Sequence, residues 1–349
     1  MSKTQPSTTV SDARASNSLR KEDSISHLSH VTPEEQEYVK PNRWWKYRQG
    51  LRPYAAEFAG VMMIIIFGDG VVCQVVLSSN TGVASSPKGE YLSISFGWAI
   101  GRLNSFNTRS FPFLTITPPP PSGVAVGIWI AAGISGAHLN PAVTLALATF
   151  RGFSWKKVPG YCFAQLMGAL VGAGIVYANY IHAIDIFEGG RHIRTLKTAG
   201  LFSTYALDYM TNVSCFFSEF MASAVLLIAV FAVIDKGNHA APPGLPPLPL
   251  FILILGIGAC LGMQTGYAIN PARDLGPRIL TGMVGYGAAP FTFRSHYWLW
   301  CPVIAPVFGG LTGAFFYDLF LYDGEDNQLY RWLHKTTPSP ERRSEESVA

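Results

Sequence analysis

The sequence predicts an all-α membrane protein of six transmembrane helices and two half-helices, built as an inverted repeat of three spans each. Three observations carry that prediction. Only 14% of the 349 residues are charged and 49% are hydrophobic, whereas soluble chains carry about 25% charged residues. The charges, 26 basic and 22 acidic for a net of +4, crowd into the two ends, and the middle holds apolar runs long enough to cross a hydrocarbon core of about 30 Å. Finally, two stretches of that middle look alike. A soluble enzyme is excluded because water cannot solvate such a surface, and a net charge this small gives no reason to expect nucleic acid as a partner.

Residues 1–42 are polar and Ser/Thr-rich, without the apolar stretch of a signal peptide. Basic residues and tryptophans then interleave over 42–52, a mixture suited to the cytoplasmic interface of a bilayer. Residues 1–52 are therefore expected to form a disordered cytoplasmic tail that ends at the membrane surface. The apolar runs are 54–77, a broken pair at 91–101 and 124–137, then 158–181, 214–234, 248–266 and 298–322. Counting the pair as one gives six spans, with a first repeat over 53–186, an extracellular loop at 187–211, a second repeat over 212–322 and a cytoplasmic tail at 323–349. With both termini in the cytoplasm, Arg151, Lys156, Lys157 and Lys236 would share a side with the basic N-terminal run, consistent with the positive-inside rule. The five cysteines stand singly and form no metal-binding spacing; no cofactor is expected.

The repeat decides the architecture. Glu57-Phe opens the first span and Glu219-Phe the fourth. After the second span of each copy comes a short apolar stretch, 138–150 or 270–283, too short to cross, which carries Asn140-Pro141-Ala142 or Asn270-Pro271-Ala272 near its start. One such tripeptide is ordinarily just a turn; two, each in the same context, are not. A three-span unit has an odd number of crossings, so its second copy must run inverted, bringing the two short elements together at mid-membrane from opposite faces. Asn caps a helix start, and Pro at the first position loses no bond. The loops before each cap must line an aqueous path, since irregular backbone is not tolerated against lipid.

With these residues the sequence resembles the aquaporin (major intrinsic protein) family over roughly residues 50–322. Asp274 after Arg273, Pro277-Arg278, the loop with Phe202 and Tyr205, and Asp235 to Asn238 are similar to the glycerol-facilitator (aquaglyceroporin) branch, in a fungal-like form. The resemblance implies a homotetramer in the plasma membrane. Each protomer would conduct glycerol, water and other small uncharged solutes passively, between membrane lipids, while excluding ions and protons. It carries the outer selectivity constriction over to Trp98, Gly258, Tyr267 and Arg273. Tyr267 stands where that branch usually has Phe, adding a hydroxyl that would tighten or polarise the filter. Glu57 and Glu219 would brace the pore loops through backbone N–H groups, His138 would present its carbonyl to the pore, and Asp274 belongs to the same bracing set. Asp69 has no counterpart in the pattern. A secondary transporter, which also uses inverted repeats, and a non-conducting scaffold or splice form stay open as alternatives.

One segment breaks the register. Residues 102–123 separate Gly101 from Val124, and they include Arg102, Arg109 and four consecutive prolines. Removing them restores a continuous span with Trp98 in family register. Prolines and arginines at bilayer depth are costly, so the segment reads as a translated, in-frame retained intron, with a genuine loop as the alternative.

Overall fold

The computed structural model describes residues 42–99, 123–324, 327, 328 and 330. The insert expected at 102–123 falls, apart from Gly123, outside the described residues, as do 1–41 of the tail. Residues 1–49 and 50–349 are separate compact units. The described part of the first is mostly helical and exposes Trp44, Trp45 and Tyr47, as interfacial aromatics require. The site described below lies in the second.

No strand occurs among the described residues. Helix α1 runs Arg43–Leu77, α2 Tyr91–Ala99, α3 Gly123–Ser135, α4 Pro141–Phe150 and α5 Val158–Glu188. The second half holds α6 Asn212–Ile234, α7 Pro247–Leu261, α8 Pro271–Thr281 and α9 Ala305–Phe320, the last preceded by a π-helical turn at Trp300–Ile304. Four stretches are long and apolar enough to span a bilayer: Arg43–Leu77, Val158–Glu188, Asn212–Ile234 and Tyr297–Phe320. Helices α2 and α3 both pack on α7, and an ideal Cβ on Gly123 would lie 3.3 Å from the Gly97 carbonyl. Their 9 and 13 residues amount to about 33 Å of helix, enough for one span in two pieces.

Helix α5 runs on to Glu188, past the apolar run that ends at 181, and two other boundaries also differ from the sequence reading. The first helix starts at Arg43, inside the expected tail, because the Asn42 side chain accepts the Trp45 N–H at 2.8 Å and caps it. The apolar run at 248–266 is helical only to Leu261; its remainder is irregular backbone. Hydropathy cannot separate these two states, because a loop lining a pore wall is as apolar as the helix before it.

The repeat is visible in how helices cross. Gly168 and Gly172 of α5 face the carbonyls of Phe58 and Met62 in α1, while Gly309 and Gly313 of α9 face those of Phe220 and Ala224 in α6. Both are Gly-x-x-x-Gly pairs that let backbones approach closely. Each meets the residue immediately after the repeat's glutamate. At all four glycines an added Cβ would overlap backbone.

Gly309→Ala should therefore cost about 1–3 kcal/mol through overpacking, seen as a lower unfolding temperature in detergent. Gly133→Ala, where a Cβ meets nothing within 4 Å, should not lower it, since alanine is the better helix former.

Candidate functional site: a lumen between two half-helices

The half-helices α4 and α8 begin as the sequence predicts. Asn140 is extended, and its Oδ1 accepts the Ala142 N–H at 2.8 Å; Asn270 accepts from Ala272 at 3.0 Å and Arg273 at 3.2 Å. Pro141 and Pro271 occupy the first helical position, where a missing N–H costs nothing. The two caps also hold each other. Asn140 Nδ2 donates to the Ile269 carbonyl at 2.9 Å, and Asn270 Nδ2 donates to the Leu139 carbonyl at 2.8 Å. This reciprocal bond joins the loops across the pseudo-symmetry and fixes both helix N-termini at one place. It leaves each amide one further N–H.

The loops before the caps share an unusual backbone. Gly136, Ala137 and Leu139 have positive φ of 88°, 51° and 53°; Gly266, Tyr267 and Ile269 have 83°, 37° and 42°. Left-handed conformation at non-glycine residues is strained and persists only where surroundings impose it. Here the buried glutamates impose it. Glu57 accepts from the N–H groups of His138 (3.0 Å) and Leu139 (2.6 Å), the Ser135 hydroxyl (2.5 Å) and Gln165 Nε2 (2.8 Å). Glu219 accepts from the N–H groups of Ala268 (2.9 Å) and Ile269 (2.8 Å) and from the Thr265 hydroxyl (2.6 Å). Both carboxylates are fully buried, so every bond is charge-assisted and unscreened.

Together these elements bound a cavity of about 110 Å³ lined by both asparagines, Arg273, Trp98, Tyr267 and His138. A water needs roughly 10–15 Å³ of such a volume, so the lumen has room for several. Its remaining wall is apolar, in stripes one helical turn apart: Val124 and Ile128, Leu226 and Val230, Leu250 and Ile254. At one end the Arg273 guanidinium lies 3.9 Å from the Trp98 ring centroid, and Nη1 reaches the Phe202 carbonyl at 3.5 Å. The Trp98 ring itself lies on Gly68 of α1. At the other end the His138 ring packs between Phe153 (4.5 Å) and Tyr161 (5.0 Å), with Nδ1 3.2 Å from Thr144 Oγ1.

Asp274 and Arg278 anchor the charged end. Arg278, fully buried, pairs with Asp274 at 2.8 Å and donates to the carbonyls of Pro290 (2.8 Å) and Thr204 (2.7 Å). Asp274 also accepts from the Thr204 N–H and hydroxyl at 2.7 and 2.6 Å. Thus the outer loop around Phe202 and Tyr205 is strapped to α8 beside Arg273.

Of the residues singled out from sequence, Trp98, Tyr267 and Arg273 share the lumen with the two asparagines. Gly258 stands behind Tyr267: an ideal Cβ there would lie 3.1 Å from the tyrosine Cζ, so this glycine makes room for the ring. Asp69 is fully buried beside Gly68, and neither carboxyl oxygen has a hydrogen-bond partner among the described residues. Sequence reasoning missed Gln165, Thr144 and Thr204, which complete the bracing. Only tertiary packing reveals them, because nothing in their local sequence distinguishes them from helix or loop residues that face lipid or water.

Glu219→Gln would turn an amide N–H toward donors that need an acceptor. Charge-assisted bonds of this kind are worth about 1.5–3 kcal/mol. The substitution should accelerate amide hydrogen exchange at Ala268 and Ile269 and lower the unfolding temperature; unchanged exchange would refute the bracing role.

Comparison with known proteins agrees with this geometry. The chain is 63% identical to Aquaporin-6 of Laccaria bicolor over 291 residues, 83% of this chain and 86% of that one. It is 44% identical to Aquaglyceroporin-9 of Botryotinia fuckeliana (strain B05.10) over 312 residues, 88% of this chain and 62% of that one. The X-ray structure of the aquaglyceroporin from Plasmodium falciparum superposes with a TM-score of 0.63 at 29% identity, covering 78% of this chain and 96% of that one. The family model for the major intrinsic protein matches residues 44–317, and the chain therefore belongs to the major intrinsic protein family of membrane channels for water and small solutes.

Proposed function

We propose that the lumen conducts glycerol as well as water and other small uncharged solutes, passively and in both directions, and excludes ions and protons. The observation that carries this reading is the pairing of Arg273 with the Trp98 face at one end of a lumen otherwise bounded by apolar stripes. A polyol presents CH groups on one side and hydroxyls on the other. Trp98 and Tyr267 would receive the CH side, and Arg273 would donate to the hydroxyls. The relatives called aquaglyceroporins, in Botryotinia and Plasmodium, support the same substrate class.

Exclusion follows from electrostatics. A cation would have to shed water against a fixed guanidinium and two positive helix ends. The free N–H of each asparagine would donate to a passing oxygen and turn its own hydrogens away, which interrupts a proton wire. The reading includes a homotetramer of independently conducting protomers in the plasma membrane, both termini cytoplasmic, with repeats at 53–186 and 212–322.

Stopped-flow light scattering on proteoliposomes tests it. The chain should pass both water and glycerol, and Trp98→Ala or Arg273→Ala should each change the glycerol-to-water ratio several-fold. Unchanged ratios would remove these residues from the constriction. Solute flux that saturates and follows an ion gradient would instead favour a secondary transporter, and permeability no greater than that of bare lipid a non-conducting scaffold.

A further inference from the structure

The Tyr267 hydroxyl is buried and has no hydrogen-bond partner of good geometry among the described residues. A buried hydroxyl left unpaired is unfavourable, and this one sits at the constriction. Its surroundings are specific. An ideal Cβ on Gly258 would lie 3.1 Å from Tyr267 Oη and 3.2 Å from Ser95 Oγ, so the two hydroxyls converge on one point above that glycine. Ser95 is completely buried. Among the described residues its hydroxyl makes a long bond, 3.4 Å, to the Tyr91 carbonyl one turn earlier in α2. Tyr91 Oη in turn donates to the Gly258 carbonyl at 2.9 Å. Helix α2 thus turns two hydroxyls toward α7, at a trough left by Gly258 and Gly262, and the Tyr267 ring lies in that trough.

We propose that Ser95 is a positioning residue that sets solute specificity through the Tyr267 hydroxyl. A rotation of the Ser95 side chain exchanges its long bond for one to Tyr267 Oη, satisfying both groups. The ring is then held at two ends. Its backbone is fixed by the Glu219 bonds to the next two residues, and its tip is fixed by α2. Ser95 lies three residues before Trp98 in the same helix, so one helix sets both aromatic walls of the constriction. The hydroxyl that distinguishes Tyr267 from phenylalanine therefore serves the wall and acts on width; it does not address the solute.

This inference rests on the reading of the lumen as a solute path. The test is a double-mutant cycle of Ser95→Ala and Tyr267→Phe, read as the permeability ratios of glycerol and of a four-carbon polyol to water. Loss of one hydrogen bond predicts that each single change shifts these ratios by about two- to tenfold, in the same direction. The double variant should go no further than either single one, and Ser95→Thr should restore the parent ratios. A shift in Tyr267→Phe alone would mean that the hydroxyl addresses the solute directly, and would overturn the proposal; so would effects that multiply, or no shift in either. The same cycle on the unfolding temperature in detergent needs no conduction and should be non-additive; additive shifts overturn the coupling outright. If the parent chain conducts nothing, the solute-path reading fails and the specificity role with it, whereas a conducting parent with an additive cycle defeats the Ser95 assignment alone.

Discussion

The structure depends on where the N–H groups of two irregular loops go once they are buried at membrane depth. Water is not there to take them, and an unpaired one costs too much to tolerate. Glu57 and Glu219 take them from behind. Everything at the centre follows from that choice. The loops are drawn outward, their backbone is forced into left-handed φ at matching positions, and their other faces are left to the lumen. The asparagine caps then bond across to the opposite loop's carbonyl, so neither loop can move without breaking the other.

Placement of the glutamates has its own cause. Each is followed by a phenylalanine whose carbonyl meets a glycine of the third span of its repeat. The close crossing of α1 with α5, and of α6 with α9, brings the carboxylates within reach of the loops. In the first copy α5 also delivers Gln165, which bonds both Glu57 and Thr144. Fold packing and pore geometry are thus one problem with one solution used twice.

The copies part company just after their caps. Three residues after the cap the first half-helix has Val143 and the second has Arg273, and both line the lumen. Four residues after it, Thr144 holds the His138 ring, while Asp274 holds Thr204 and the buried Arg278. Val143 beyond one cap and the Arg273–Trp98 pair beyond the other make a symmetric scaffold asymmetric.

Much of this was legible in the chain. The charge-poor middle, the doubled Asn-Pro-Ala and the doubled Glu-Phe determine an inverted repeat, two capped half-helices and their meeting point, because capping and bilayer solvation are local rules that a sequence states openly. Two things were not legible. The end of the fifth span is one, since an apolar helix and an apolar pore wall have the same hydropathy. The partners of the key groups are the other: Asn140 with Ile269, Trp98 with Arg273, and the seating of Tyr267 over Gly258 between α2 and α7. These pairs lie 129, 175 and 9 residues apart in sequence, and even the last, near one, depends on a third helix. Only the tertiary structure decides them, because which side chains meet in a narrow lumen is set by helix crossings, and no single segment contains a crossing.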